Sequence, residues 1–203
     1  ADDFRSQLMR LKEGGWTALT PAELAAAEDA GKMPEKPALI TFDDGYADNY
    51  ENAFPLLKEF GLKAAVFVVV DALGGHNRWH DVSGGPWQRM LTLDRLKEMR
   101  DSGLSEFGSH TLSHRDLMKL PADEARWEIF ESKRRLERLL DSPVISFAYP
   151  YGSGAYAPAI RALAREAGYR YDFGIRQGKS AFPWDPASGP LKRLLIRGDD
   201  TAW

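Results

Sequence analysis

Residues 38–70 read ALITFDDGYADNYENAFPLLKEFGLKAAVFVVV and predict a strand, a helix and a second strand in succession. The second apolar run, residues 64–70, has no polar alternation, which is typical of a strand buried on both faces of a parallel sheet. Apolar side chains recur at helical spacing across residues 48–60, and Gly61 follows at a position where helices commonly end. Two strands joined by a helix form the repeating unit of α/β folds, so this stretch indicates the fold class.

The rest of the chain repeats this alternation of strands and helices. Further helices are predicted at residues 4–11, 21–30, 93–100, 121–141 and 157–167. Further strands are predicted at residues 16–19, 106–109, 144–148, 171–175 and 194–196. The pattern has no internal repeat and no low-complexity linker. It favours a single α/β domain over residues 1–203, with a mostly parallel sheet that is either open or closed into a barrel.

Composition excludes several classes of protein. The 203 residues are 43% hydrophobic and 28% charged, which excludes disordered, collagen-like and coiled-coil chains. The longest apolar run, residues 64–70, is far too short to span a bilayer. A net charge of −3 gives no broad basic face. We therefore expect no transmembrane segment and no nucleic-acid partner.

Cysteine and histidine counts limit the chemistry further. The chain has no cysteine, which excludes disulfides, thiolate metal sites and cysteine nucleophiles. A transition-metal site would have to use carboxylates and the four histidines, which are His76, His80, His110 and His114. The chain begins at Ala1 without a methionine or a visible signal peptide, so we expect it to be truncated at its N-terminus.

Polar clusters follow three of the predicted strands. They are Asp43-Asp44-Gly45, Ser109-His110 and Tyr149-Pro150-Tyr151-Gly152. Ligands of parallel α/β folds bind at the carboxyl ends of the strands, in open sheets and in barrels alike. The three clusters therefore predict a site at this edge of the sheet.

The adjacent carboxylates Asp43 and Asp44 repel one another unless positive charge lies between or beside them. One interpretation is a polar turn with an Asx cap on the next helix. In the other interpretation, one aspartate binds a metal and the second stays uncoordinated as a base, while Gly45 provides a tight turn.

His110 and His114 are spaced four residues apart, which predicts that they face the same side of a helical turn, as in some zinc sites. Surface or capping roles are the alternative. Together with Asp44, the two histidines make a set of two imidazoles and one carboxylate, which leaves coordination positions open for water and substrate. The small hydroxyl residues beside the histidines could support these ligands.

Residues 147–152, FAYPYG, place aromatic rings around a proline, and packing in the core is one interpretation. A turn at a strand end also exposes backbone N–H groups that can stabilise an oxyanion. In that case the ring of Tyr151 would suit a wall that binds sugar.

These three elements, in this order and spacing, resemble the polysaccharide deacetylase family, also called the NodB-homology domain or carbohydrate esterase family 4. The family's first motif, T-F-D-D-G, is met in full by residues 41–45, and its second, H-[ST]-x-x-H, by residues 110–114. The opening stretch and residues 149–152 look most like the branch that deacetylates poly-β-1,6-N-acetylglucosamine. The resemblance implies a distorted (β/α) barrel of about seven strands and a location outside the cytoplasm.

The resemblance also implies roles for individual residues. Asp43 would be the general base. Asp44, His110 and His114 would bind Zn²⁺ or another divalent metal such as Co²⁺ or Ni²⁺. The backbone N–H of Tyr151 would complete the oxyanion hole.

The expected reaction is metal-dependent removal of N-acetyl groups from a polysaccharide that contains N-acetylglucosamine. The polymer would be poly-N-acetylglucosamine, a chitin-like chain or peptidoglycan, in a biofilm or cell envelope. We expect Tyr149, Pro150, Tyr151 and Trp79 to contact it, and we expect the protein to be a monomer. Two alternatives stay open: an O-acetyl esterase acting on acetylated xylan or a similar glycan, and a weakly active relative that binds carbohydrate.

One departure from the family's pattern concerns the base. Ala148 stands where the third motif has an arginine that pairs with the base. Arg193 and Arg197 flank the last predicted strand, and either could reach a carboxylate at a strand end.

A second departure concerns the general acid. The family's late histidine is missing, because no histidine follows His114. His76 and His80, in the loop over residues 71–90, are the internal alternatives, and a histidine upstream of Ala1 is another.

Overall fold

Six short strands lie side by side in the central sheet of the computed structural model, which describes residues 2–196 apart from the side chains of residues 82 and 83. All six are parallel and follow one another in chain order. A separate small sheet pairs β1 (Thr17–Ala18) with β2 (Pro37–Ala38), and the central six are β3 (Ile40–Phe42), β4 (Ala64–Val68), β5 (Ser105–Ser109), β6 (Ser146–Ala148), β7 (Tyr171–Gln177) and β8 (Leu191–Arg193).

The helices predicted at residues 4–11, 21–30, 93–100, 121–141 and 157–167 are confirmed to within two residues at either end. The helix predicted at residues 48–60 is an α-helix only from Phe54 onward, and a short helix that was not predicted lies in the loop over residues 71–90. Helices connect the strands of the sheet. They are α1 (Asp2–Glu13), α2 (Pro21–Asp29), α3 (Phe54–Phe60), α4 (His80–Ser83), α5 (Leu93–Asp101), α6 (Ala122–Leu140) and α7 (Pro158–Glu166). A π-helical turn, Asn49–Ala53, precedes α3, and Gly61 ends α3 in the left-handed conformation. Within residues 2–196, no helix combines the length and the apolar character needed to cross a membrane.

The prediction of a last strand at residues 194–196 is wrong, because the strand lies three residues earlier, at Leu191–Arg193. The register is set by Leu191, which pairs with Phe173 of β7 and is buried in the core. The apolar side chains of Leu194, Leu195 and Ile196, which suggested the strand, are exposed.

The central sheet is strongly curled. Phe67 of β4 and Phe173 of β7 are separated by two intervening strands, yet their ring centroids are only 5.0 Å apart. Three strand spacings in a flat sheet would separate them by ~14 Å. The curl also brings Arg193 of β8 within 3.5 Å of Thr41 on β3, so the first and last strands meet through side chains. Among the described residues the curled sheet has six strands, where the family resemblance implied a distorted barrel of about seven.

Strand β4 is buried on both faces, as predicted, and its alternate residues enter two different parts of the core. Val66 and Val68 pack in the cluster that includes Ile129 of α6, while Ala65 and Phe67 pack inside the curl. Helices cover the outer face of the curled sheet, and apolar side chains fill its interior. Polar residues therefore gather at the carboxyl ends of the strands.

Gly45, directly after β3, joins this edge to the core. Its φ is +81°, and a Cβ atom built on it would lie 2.8 Å from Cγ1 of Val68. Only glycine meets both requirements, since other residues are strained at this φ and any side chain would collide with β4.

We expect Gly45→Ala to destabilise the fold more than Gly31→Ala does. Gly31 has a similar φ of +62° but open space around its Cβ position, so its substitution costs only the left-handed strain of about 1–2 kcal/mol. The collision with Val68 should add about 1–3 kcal/mol at Gly45. Urea unfolding of both variants measures the difference, and equal free energies of unfolding would contradict this account.

Candidate active site

Three potential metal ligands converge at the carboxyl edge of the sheet. Asp44 follows β3, and His110 and His114 follow β5. Oδ1 of Asp44 lies 3.3 Å from Nε2 of His110 and 3.2 Å from Nε2 of His114. One ligand atom from each of these residues lies within 4.8 Å of the other two. The structure thus brings together the three residues that the sequence predicted as a set.

The donor set fits a divalent metal ion. Two imidazole nitrogens and one carboxylate oxygen are ligands that zinc accepts, with bonds of ~2.0–2.2 Å, so that the donors of a tetrahedral site lie ~3.3 Å apart. The two distances from Asp44 to the histidines agree with that spacing. Three protein ligands also leave a position open, which is typical of catalytic rather than structural zinc sites.

The rings of the two histidines are fixed by contacts on their far sides. Nδ1 of His110 donates a hydrogen bond to the carbonyl oxygen of Ala148 at 2.8 Å, which orients the ring so that Nε2 faces Asp44. Nδ1 of His114 lies 3.1 Å from the hydroxyl of Tyr151. Trp79 stacks on the His114 ring with centroids 4.3 Å apart. Both Nε2 atoms are therefore held toward Asp44.

The prediction that His110 and His114 share a helical turn is wrong. Thr111 and His114 have φ values of +67° and +62°, so the segment that carries the histidines is a non-helical bend with two residues in the left-handed conformation. Oγ1 of Thr111 accepts a hydrogen bond from the backbone N–H of His114 at 3.0 Å. Both histidine rings nevertheless face the same atom, Oδ1 of Asp44.

Buried Glu128 of α6 holds this turn in place. Its Oε2 accepts hydrogen bonds from the backbone N–H groups of Leu112, at 3.0 Å, and Ser113, at 2.9 Å. The hydroxyl of Ser113 also donates to the same carboxylate. One carboxylate thus satisfies three donors of a segment that no sheet or helix pairs.

Backbone strain concentrates at this edge of the sheet. Five non-glycine residues among those described have positive φ, and four of them belong to the site: Asp44, Thr111, His114 and Tyr151. Such conformations are sparsely populated for L-residues and persist where the surroundings over-determine them. The contacts of Glu128, Ala148 and Trp79 supply that constraint.

Electrostatics couple the three residues. Burial alone would raise the pKa of Asp44, but the imidazoles of His110 and His114 lower it far below its ordinary value. Burial opposes a charge on His110, yet its hydrogen bond to Asp44 raises its pKa, whereas burial lowers the pKa of His114 despite the same partner. The carboxylate thus stays ionised beside two nitrogen donors, as a cation site requires.

The neighbouring carboxylate, Asp43, has a different partner. Both of its oxygens accept hydrogen bonds from Arg193, Oδ1 from Nη1 at 2.6 Å and Oδ2 from Nη2 at 2.8 Å. Nε of Arg193 donates to the carbonyl oxygen of Gly174 at 3.0 Å, which fixes the guanidinium itself. Arg193 is thus the arginine of the predicted pair that reaches a strand-end carboxylate, while Arg197 lies outside the described residues.

Of the predicted substrate contacts in the turn after β6, only one is exposed. Tyr149 is only 1% exposed, and its hydroxyl donates to Asp172 at 2.8 Å, so its ring belongs to the core and offers no face to a sugar. Pro150 is also buried. Tyr151 is 58% exposed, and its ring meets His114 edge to face.

The two loop histidines contact other loop residues. His76 lies parallel to Trp87 and 3.4 Å from Asp81, while Nδ1 of His80 lies 2.8 Å from the side chain of Asn77. The ring of His80 also packs edge to face with Trp79, so the indole of Trp79 lies between His80 and His114.

Sequence reasoning missed one contribution to the site and left a second one open. Nothing in the spacing of α6 distinguishes Glu128 from the exposed acids of the same helix, because its role depends on a loop that packs against it. Arg193 and Arg197 were equal candidates for a strand-end carboxylate, because they flank the strand predicted at residues 194–196, and the structure places Arg193 on Asp43.

Comparisons with known proteins agree with this arrangement. The family model described as polysaccharide deacetylase matches residues 30–171. The poly-beta-1,6-N-acetyl-D-glucosamine N-deacetylase of Staphylococcus aureus is 30% identical over 206 residues, an alignment that covers 97% of this chain and 67% of that protein. The chain spans about two thirds of the length of the curated relatives that it matches.

Two solved structures share the fold over nearly the whole chain. The deacetylase PplD of Streptococcus pyogenes, solved in complex with acetate, superposes with a TM-score of 0.81 at 29% identity and covers 98% of this chain and 81% of that one. IcaB of Ammonifex degensii superposes with a TM-score of 0.78 at 27% identity and covers 98% and 84% of the respective chains.

We expect Glu128→Ala to destabilise the protein by about 2–4 kcal/mol, because it leaves buried N–H groups of the histidine turn unpaired. Zinc affinity should fall about 10–100-fold, since the turn carries His114. Urea unfolding and zinc titration calorimetry measure both effects. Asp123→Ala removes an exposed carboxylate from the same helix and is the matched control. Equal stability and zinc affinity in the two variants would contradict the role of Glu128.

Proposed function

The chain belongs to the polysaccharide deacetylase family, and from that premise we propose that it is a metal-dependent hydrolase that removes N-acetyl groups from a polymer of N-acetylglucosamine. The observation that carries the proposal is the division of two adjacent carboxylates: Asp44 faces the two histidines, while Asp43 faces Arg193. Such a pair provides a metal ligand and an uncoordinated base side by side.

Asp44, His110 and His114 are the proposed ligands of a divalent metal, either Zn²⁺ or an ion such as Co²⁺ or Ni²⁺. When bound there, the ion would supply Lewis acidity for the acetyl carbonyl and lower the pKa of a water molecule. Asp44 and the two histidines lie at the carboxyl ends of β3 and β5, which fixes their relative positions through the sheet.

Asp43 is the proposed general base, which takes a proton from the attacking water at a carboxylate oxygen. Arg193 holds both oxygens of Asp43 in a bidentate pair, which orients the carboxylate and keeps it from turning toward the histidines. Arg193 therefore stands in place of the arginine that the sequence lacks at Ala148. After the attack, the same carboxyl group holds the proton that the departing sugar amine requires.

The backbone N–H of Tyr151 is the proposed donor to the oxyanion that develops on the acetyl group. Tyr149 precedes the turn of Tyr151, Pro150–Gly152, and anchors it, because the hydroxyl of Tyr149 donates a hydrogen bond to Asp172. Asp172 also receives two hydrogen bonds from Arg161, at 2.8 and 3.0 Å, in a buried ion pair. This anchored turn keeps Tyr151 beside His114.

We place the substrate outside the cytoplasm, as a surface or envelope polysaccharide, and we propose that the protein acts on it as a monomer. The exposed ring of Tyr151 and the ring of Trp79 flank His114 and are the proposed contacts for the sugar that carries the acetyl group. The Staphylococcus aureus relative is named for a β-1,6-linked polymer, which makes that linkage the first substrate to test.

The test measures acetate release and zinc content in parallel. Wild-type protein loaded with Zn²⁺ should release acetate from a β-1,6-linked pentamer of N-acetylglucosamine and little from acetylated xylan. Asp43→Asn should lower the rate at least about 100-fold, because the base is lost, while bound zinc stays as in wild type. His110→Ala should lose zinc and activity together.

Asp48→Asn changes an exposed carboxylate of the same segment and should leave zinc content and rate unchanged. An active Asp43→Asn variant would overturn the assignment of the base, and a His110→Ala variant that retains zinc would overturn the ligand set. Acetate release from acetylated xylan alone would contradict the proposed amidase activity and indicate an O-acetyl esterase.

A further inference from the structure

The loop over residues 76–90 is fastened to the strand end that carries the candidate active site. The backbone N–H of Ala47 donates to the carbonyl oxygen of Arg89 at 2.8 Å, and Tyr46 forms an isolated β-bridge with Met90. Both contacts lie within three residues of Asp44. Trp79, from the same loop, stacks on His114. The loop is therefore a wall of the site.

The inside of the loop is fixed by Asn77, which is fully buried. The side-chain oxygen of Asn77 accepts a hydrogen bond from the backbone N–H of Gln88 at 2.8 Å, and its amide nitrogen donates to the carbonyl oxygen of Pro86 at 3.1 Å. These two bonds hold the backbone on both sides of Trp87. The position of Trp87 is thus determined by the loop as a whole.

Trp87 itself is 68% exposed, yet its ring is held in one orientation. It lies on the imidazole of His76 with a centroid distance of 3.6 Å and an angle of 14° between the planes. Nε2 of His76 lies 3.4 Å from Oδ1 of Asp81. Because His76 covers one face of the indole, the exposure belongs to the other face and the edges.

We propose that Trp87 is a binding platform for a sugar ring of the polysaccharide, separate from the sugar whose acetyl group reacts. This inference rests on the proposed function, because it assumes the same substrate. A flat indole with one open face presents negative π-density, and a pyranose ring presents a flat face of C–H bonds that suits it. Trp79 lies against His114, whereas Trp87 stacks on His76 in the same loop, so the platform would take a sugar other than the one beside His114.

The surroundings of Trp87 favour a small ring ligand over a protein partner. A stable protein interface buries ~800 Å² on each side around an apolar centre. The exposed neighbours Gln88 and Arg89 are polar or charged, and Arg89 pairs with Glu51. A single oriented indole within a polar surface matches one sugar unit.

Steady-state kinetics on substrates of different length test the proposal. Trp87→Ala should raise KM for the β-1,6-linked pentamer about ten-fold, the size expected for one lost aromatic stack, with kcat within about two-fold of wild type. Its kcat/KM for the methyl glycoside of N-acetylglucosamine should match wild type, because one sugar does not reach the platform. Trp87→Phe should recover most of the affinity for the pentamer.

Trp127→Ala is the matched control, because Trp127 is 57% exposed and lies on α6, away from the loop. It should equal wild type on both substrates. A Trp87→Ala variant with wild-type KM for the pentamer would overturn the proposal. So would an equal loss on pentamer and monosaccharide, which would indicate a distorted site.

A binding measurement separates this proposal from the proposed function. In affinity electrophoresis through a gel that contains poly-N-acetylglucosamine, wild type should be retarded and Trp87→Ala should be retarded less. If wild type releases no acetate but is retarded more than Trp87→Ala, the result supports the platform and contradicts the proposed reaction. If the polymer does not retard wild type, the platform is refuted.

Discussion

Two carboxylates in adjacent residues at the end of one strand constrain the rest of this structure. Asp43 and Asp44 repel one another, and the fold resolves the repulsion by giving each its own partners. Arg193 from the last strand pairs with Asp43, while His110 and His114 face Asp44. The pairing of Arg193 with Asp43 depends on the curl of the sheet, because the curl brings the last strand close to the first.

The local features of this arrangement could be predicted from the sequence because they depend on neighbours in the chain. The uniform apolar run at residues 64–70 predicted the doubly buried strand, and Gly61 predicted the end of the helix before it. The motif at residues 41–45 and the histidine pair indicated the family and predicted which three residues would meet at the sheet edge. Parallel topology explains the meeting, since it collects the ends of β3 and β5 at the same edge.

The features that sequence reasoning missed depend on contacts between distant segments. Four-residue spacing predicted a helical turn for the histidines, but Glu128 of α6 supplies hydrogen bonds that stabilise a non-helical bend instead. The apolar residues after Arg193 led to the prediction of a strand, but they are exposed. The last strand instead includes Leu191, which is buried and pairs with Phe173. Tyr149 illustrates the same limit, because its position in a polar strand-end turn suggested a sugar contact and its ring is buried against the core.

Anomalous X-ray diffraction at the zinc edge, from a crystal soaked in Zn²⁺, tests the division of the two carboxylates most directly. The account predicts one strong peak within bonding distance of Oδ1 of Asp44 and Nε2 of His110 and His114, with Asp43 still held by Arg193. A peak bonded to Asp43, or an ion held without the histidines, would contradict it.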